Sequence, residues 1–411
     1  MPSPESDAVT IPSGGSARRV ALLGAIAFVS AMGATIVFSI GAFAARGLGV
    51  PLEWAALTSS VFSASAGVGG LIGALFLARV SRRVSLVGSL IGLGLFTILC
   101  GLAPNFSLLL AARVLSGLCA GPLMAAVLTI IVDAVPEERR NRAVSAVTGS
   151  YGLALVLGMP LALLLSANLG GWRAPFLALG LGCLALAPPA WRMLAPAPGA
   201  QAAALPRVTA AGLLRLLARR ESLTGLALIS GASFATLLIS PNLSAYALHN
   251  AGVGETGLRL VFLIGGTLAL VTTRLTGWAM DRIGPLPASV AMALALSIVV
   301  GSAFLAPLPA VLAVPVLGMV LSVQLARSTV AQASATRVAS PAERITFQCL
   351  VAAVTSLAQS AGAGFSALVL QEQAGGALWG MEWLALLSIA VAWTAPLLVM
   401  ALGRLLPLRP A

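Results

Sequence analysis

The chain has 411 residues, 59% of them hydrophobic and only 9% charged, with a mean hydropathy of +1.02. A soluble fold of this length needs a polar surface that such a composition does not supply, whereas a bilayer demands an apolar exterior and backbone groups satisfied within helices. The net charge of +12 is carried by arginine without any lysine, and these arginines sit in short breaks between apolar runs rather than on the contiguous basic face that nucleic acid requires.

In chain order, residues 1–19 form a Ser-, Pro- and Gly-rich tail expected to be disordered and cytoplasmic. The apolar run from Val20 to Ala45 contains Ala42-Phe43-Ala44, which has the look of a cleavage site. It is too long for a signal h-region and reads as the first membrane helix. Twelve spans follow from runs of about 20 apolar residues. They cover 20–45, 55–78, 84–103, 107–132, 143–167 and 174–194, then 222–248, 257–280, 286–306, 310–334, 345–370 and 382–403. Between the sets, residues 195–221 read as a cytoplasmic linker, and its Leu213-Leu214-Arg215-Leu216-Leu217 pattern suits a short helix lying in the inner interface. Residues 404–411 form a short cytoplasmic tail. The expected fold is an all-α membrane protein, twelve transmembrane helices in two pseudo-symmetric six-helix bundles.

Arginine placement orients the chain. With both termini inside, Arg18, Arg19, Arg79, Arg82, Arg83, Arg139, Arg140, Arg142, the five linker-region arginines, Arg282, Arg337, Arg344, Arg404 and Arg409 are cytoplasmic. Outside are Arg46 and Arg173, with Arg259 near the outer end of the eighth span, as the positive-inside rule asks. Cys100, Cys119, Cys183 and Cys349 fall in apolar stretches with no metal or disulfide spacing. The single histidine, His249, lies in a loop after an apolar run, as an interface residue or a proton carrier. With no metal constellation, no nucleophile paired with histidine and no phosphate-cradling glycine loop, an enzyme is not expected.

The halves repeat. Pro136-Glu137-Glu138-Arg139 after the fourth span matches Pro341-Ala342-Glu343-Arg344 after the tenth at an offset of 205 residues, and Ala78-Arg79 matches Asp281-Arg282 at 203. Parallel repeats of this kind place a transporter's site near the midplane between them. Gly277, Asp281, Arg282 and Gly284 read as a Gly, an Asp-Arg four residues on, and a Gly; the first-half copy, Ala74, Ala78-Arg79 and Ser81, keeps only its basic residues. Arg113, Gly117 and Gly121 form an Arg-x-x-x-Gly-x-x-x-Gly series, and Gly152, Gly158 and Pro160 a Gly-x-Pro kink. On these motifs the chain resembles the major facilitator superfamily, most of all its bacterial drug and sugar exporter branch. That resemblance implies a central cavity lined by the first, fourth, seventh and tenth spans, and proton-coupled export.

Physical roles follow for the candidate residues. Asp281 and Arg282, with Gly277 and Gly284, cap the inner end of the eighth span and form a candidate latch between the halves; Arg79 stands between gate and plain topology signal. Asp133 and Arg139 suggest a second inner ion-pair network. Gly152, Gly158, Pro160, Gly117 and Gly121 permit close packing and bending. Arg113 is a charge inside a span, so it either binds an anionic group of the solute or is satisfied by carbonyls and hydroxyls. Arg274 and Arg327 lie closer to the interface, Arg274 snorkelling. Asn242 and Tyr246 at the Ser240-Pro241-Asn242 kink, with Gln324, Thr35 and Ser39, are expected to line the cavity and bind the solute.

The expected function is therefore proton-driven efflux of a small organic solute across the bacterial inner membrane by alternating access, by a monomer with no cofactor. Import of a nutrient is the first alternative, and a transport-dead receptor or assembly factor the second. No acid lies in the middle of a span, which leaves Glu53, Glu255, Glu372, Glu382, Asp133 and Asp281 at the periphery.

Overall fold

A computed structural model of the chain describes residues 13–76, 81–134, 149–193, 210–306, 309–340, 343–373 and 375–405. Among the described residues, twelve helices are long and apolar enough to cross a membrane. The first half holds α1 (Ser13–Gly47), α2 (Ala55–Phe76), α3 (Arg82–Leu102), α4 (Phe106–Ala134), α5 (Ser150–Asn168) and α6 (Arg173–Met193). A linker helix, Ala210–Leu217, precedes the second half. There follow α7 (Arg220–His249), α8 (Glu255–Ile283), α9 (Pro285–Phe304), α10 (Ala310–Ala335), α11 (Arg344–Val369) and α12 (Met381–Leu405). A two-stranded hairpin, β1 (Gln371–Glu372) and β2 (Leu378–Trp379), joins α11 to α12. Successive spans alternate in direction, so α1 begins and α12 ends at one face, the terminus end; the opposite face carries the β-hairpin.

The helical ranges differ from the sequence expectation mainly at their starts. α1 begins at Ser13, inside the stretch expected to be disordered, and runs unbroken through Ala42-Phe43-Ala44. The described part of the fifth span starts at Ser150. The linker helix does not lie free on the bilayer: Leu213 and Leu216 are buried in an apolar cluster with Leu226, Ile229 and Phe347 of the second half, while Leu214 points out.

The duplication appears as matched helix packing. A Cβ on Gly121 of α4 would meet Ala66 O and Gly70 N of α2, and a Cβ on Gly318 of α10 would stand 3.1 Å from Val261 O and 3.2 Å from Gly265 N of α8. In both halves one glycine abuts two residues four apart on the partner helix, so a side chain larger than hydrogen would drive the backbones apart. The halves themselves meet along α2 with α11 and along α5 with α8, and α1 packs on the 240–249 part of α7.

Two helices depart from regular geometry at the marked sequence positions. In α5, residues Ala154–Gly158 form a π segment, and the Met159 amide bonds to Ala154 O five residues back. Pro160 has no amide hydrogen to continue the regular ladder, which accounts for the register change. In α7 the turn Ser240–Asn242 is 3₁₀, with Pro241 inside it. Gly284 ends α8 with φ +85°, ψ 169°, its amide closing on Met280 O at 3.1 Å. The motif glycine thus stops the helix in a conformation that side chains disfavour.

Candidate functional site

Polar side chains gather in the interior at three levels. At the hairpin end, Glu372 of β1 ties the halves together: its Oε2 accepts the Leu52 amide at 2.9 Å and its Oε1 lies 3.5 Å from Arg46 Nη2 at the end of α1. His249, the last residue of α7, stands beside Gly376 of the same hairpin. Asn250 fixes the hairpin, giving and taking one hydrogen bond with the Leu378 backbone, both at 2.9 Å. Nearer the middle, Ser60 of α2 donates to Ser360 O of α11 at 2.8 Å. These hydrogen bonds and the ion pair, which join the halves, lie in the hairpin-end half of the molecule.

The α7 kink forms the second level. Ser240 Oγ donates to Gln324 Oε1 of α10 at 3.4 Å, and Asn242 Nδ2 donates to Ser366 Oγ of α11 at 3.0 Å. Gln324 Nε2 and Asn242 Oδ1 are buried without a partner. Across the seam, Gly41 of α1 approaches Pro241 O. Ser39, on the same stretch of α1, is buried and turns its hydroxyl onto Ile36 O of its own helix at 2.9 Å, as Thr35 does onto Ala31 O at 3.0 Å. Asn242 and Gln324 therefore belong to one cluster, with Ser39 across the seam.

Tyr246 does not join them. Its hydroxyl donates to Ala303 O of α9 at 3.1 Å and its ring packs edge-on against Phe304, centroids 4.7 Å apart. The 3₁₀ turn before it rotates the last two turns of α7, which aims this residue within the second half instead of toward the first.

The buried arginines make the third level. Arg113 is 1% exposed. Its Nη1 donates to Gly33 O of α1 at 2.7 Å and its Nε to Thr58 O of α2 at 3.1 Å, with the guanidinium 4.1 Å over the Phe62 ring. Of the two roles open to it, the geometry is that of a brace joining α1, α2 and α4, with Nη2 alone unused. It is also remote from the kink: Gly33 and Gly41 are separated by about 12 Å of helix rise. Arg327, in the inner part of α10, is 2% exposed on the face turned to α7, where Nη2 donates to Ala232 O at 2.8 Å. Arg274 is exposed on α8.

At the terminus end, Asp281 and Arg282 are exposed. The Arg282 guanidinium stacks 4.7 Å over Trp278, and among the described residues Asp281 has no ion pair. Gly277 has open space around it. Arg79 and Arg139 lie outside the described residues, as does the Asp133 side chain. Gly117 meets Ser65 Oγ and Phe62 O of α2, Gly158 meets Met32 Sδ of α1, and Gly152 faces Leu270 Cδ2 of α8. Val156 Cα, in the π segment, comes within 2.6 Å of where a Cβ on Gly266 would stand. The fifth span thus uses its kink to seat both α1 and α8.

Two six-helix halves, related by matched glycine contacts and meeting at polar clusters around a helix kink, define a multi-pass membrane protein with the architecture of a two-bundle carrier. A sequence profile of the Major Facilitator Superfamily matches residues 23–363, and the chain belongs to that family, one of transporters rather than enzymes. It is 28% identical over 244 residues to a chloramphenicol resistance protein of Streptomyces lividans, a match covering 58% of this chain and 60% of that one. It is 29% identical over 253 residues to a gentisate transporter of Corynebacterium glutamicum, covering 58% of this chain and 56% of that one. A chloramphenicol efflux pump of Mycobacterium tuberculosis is 34% identical over 126 residues, 31% of this chain and 29% of the pump. The chain thus spans under two thirds of the length of each of these relatives. Its fold matches the inward-facing, occupied crystal structure of a bacterial homologue of the human lysosomal transporter Spinster, with a TM-score of 0.73 at 16% identity over 96% of this chain and 99% of that one.

Proposed function

We propose that this protein is a secondary transporter that moves a small organic solute out of the cell across the bacterial inner membrane, by alternating access driven by the proton gradient. The observation that carries the reading is the uneven bonding of the two halves. They are tied at the hairpin end through Glu372, Arg46, Leu52 and the Ser60–Ser360 contact, while Asp281 at the terminus end is unpaired among the described residues. Two bodies tied by polar contacts at one end, with no ion pair at Asp281 at the other, suit one half of a rocking cycle. The arginine distribution supports a hairpin end outside and both termini in the cytoplasm, and on that orientation the solute enters from the cytoplasm in this arrangement. In the opposite arrangement Asp281 pairs with the arginines of the terminus end and the Glu372 tie opens. The protein works as a monomer, each chain holding one complete seam.

Efflux is supported by the named activities of the Streptomyces and Mycobacterium relatives. The named solute of the Corynebacterium relative keeps uptake as the second reading. The deciding experiment reconstitutes the protein in proteoliposomes with an internal pH dye. Solute-driven proton movement opposite in sense to the solute supports exchange; solute flux without proton movement removes the coupling, and co-directional movement reverses the direction.

A further inference from the structure

We infer that the transported solute is an organic anion, and that Arg327 with Gln324 forms the site that reads its negative group. This deepens the transport reading above and rests on it.

Arg327 and Gln324 are 2% and 1% exposed and lie three residues apart on α10, about 4.5 Å along the axis, on the side that meets α7. Arg327 uses one nitrogen, on Ala232 O; its Nε and Nη1 are buried with no partner. Gln324 Oε1 is taken by Ser240, and its Nε2 is likewise buried with no partner. Donors on three nitrogens therefore stand unused on one helix face. No Asp or Glu occurs among the described buried residues, so the guanidinium has no counter-charge in the core.

A packing role explains this poorly. Arg113 shows what a structural arginine looks like here, with two carbonyls on two helices and an aromatic face beneath it. Arg327 holds one carbonyl. An unpaired charge and unused donors in a low-dielectric interior are destabilising, and such residues within membrane spans mark solute paths. A carboxylate accepts hydrogen bonds and offers none, and it supplies the missing charge. The unused Asn242 Oδ1 on the facing kink is an acceptor for a hydroxyl elsewhere on the solute. The site is shut as it stands, so α7 and α10 part to admit the anion.

The test uses the purified full-length protein and a panel of aromatic carboxylates with their neutral amides, benzoate against benzamide and 2-hydroxybenzoate against 2-hydroxybenzamide among them. Carboxylates are expected to raise the melting temperature of the wild type and amides to leave it unchanged. Arg327→Gln is expected to weaken carboxylate binding by roughly 10- to 100-fold, the loss of one charge-assisted hydrogen bond. The same variant is expected to melt higher than the wild type without ligand, because it removes an unpaired buried charge. Gln324→Ala weakens binding less, and Arg113→Gln leaves the preference for carboxylates intact. A panel without carboxylate hits, hits indifferent to charge, or a ligand-free Arg327→Gln that melts lower than wild type would each overturn the assignment. The transport reading is tested apart from it: in proteoliposomes, flux of the amides alone leaves transport standing and removes the anion, whereas no flux of any member of the panel removes both.

Discussion

Glu372 takes the Leu52 amide with one carboxylate oxygen and faces Arg46 with the other, so a residue of the second half clasps the end of α1 and the turn that follows it. Both partners are partly exposed, at 50% for Arg46 and 26% for Glu372. An ion pair in that setting is worth below about 1 kcal/mol to stability. Its leverage is on the balance between two arrangements, where about 1 kcal/mol shifts a ratio roughly fivefold. Glu372→Gln and Arg46→Gln are each expected to open the hairpin end by up to about that factor with little change in melting temperature. Spin-label distances between the α1–α2 turn and the β-hairpin report it, and the double charge reversal should restore the closed distance only in part, because a guanidinium at position 372 cannot accept the Leu52 amide.

The glycines separate into close approaches and open positions. A Cβ on Gly121 would strike the Ala66 carbonyl and Gly70 amide of α2, backbone atoms that cannot turn aside. Gly121→Ala should lower stability by about 1–3 kcal/mol or more, as overpacking does. Gly152→Ala meets only the end of Leu270 and should cost less. Gly277→Ala meets nothing within 4 Å and should be neutral or slightly stabilising in the ligand-free protein, since alanine favours helix. If transport by Gly277→Ala is nonetheless slowed, that glycine is needed in the other arrangement. Thermal melts and initial transport rates on the same three variants check the order.

Arg113 braces three helices through carbonyls of two of them. Arg113→Gln should lose about 2–3 kcal/mol of stability, the worth of hydrogen bonds from a charged donor. Arg113→Lys should recover little of it, because an ammonium cannot reproduce the planar fork that reaches Gly33 and Thr58 together. Denaturation in mild detergent, comparing wild type with both variants, gives the comparison.

At the terminus end, Glu343 accepts from Ser340 at 2.8 Å and from Arg219 Nη1 at 2.9 Å, with Arg219 Nη2 at 2.9 Å from its other oxygen. The Ser340 hydroxyl and the Arg219 guanidinium hold the Glu343 carboxyl below its ordinary range. A carboxyl with a depressed folded pKa stabilises above its unfolded pKa, and that contribution is lost as pH falls through the folded value. Glu343→Gln should therefore melt lower than wild type near neutrality, and the gap should close as the pH is taken below the usual carboxylate range. A gap that stays constant with pH would assign the effect to packing.

Much of this architecture can be read from the chain because lipid imposes a simple rule, that an apolar run of sufficient length crosses. Gly121 and Gly284 were equally readable, since only glycine suits a backbone-to-backbone approach or a positive φ at a helix end. What the sequence hides is direction around the helix axis and pairing over distance. Leu52 and Glu372 stand 320 residues apart, and nothing local links them. The depth of Arg327 along its span can be counted from the sequence, but its rotation toward α7, which buries it, cannot. Tyr246 looked like a cavity residue beside the Pro241 kink, and the 3₁₀ turn carries it round to α9. Arg113 was readable as a buried charge, but its carbonyl partners come from two other helices.

The linker helix carries a consequence for how the protein can be divided. Leu213 and Leu216 share an apolar cluster with Leu226 and Phe347, and Arg219 clamps Glu343. The linker helix, Ala210–Leu217, therefore packs with the second body, ahead of that body's first membrane span. A gene cut before that helix is expected to give a second polypeptide that keeps the cover of its own apolar cluster. A cut at Ser222 strips that cover and leaves the floor of the second bundle bare. Leu214, on the outer side of this helix, is 66% exposed, so the helix turns one apolar side chain away from the bundle that it covers.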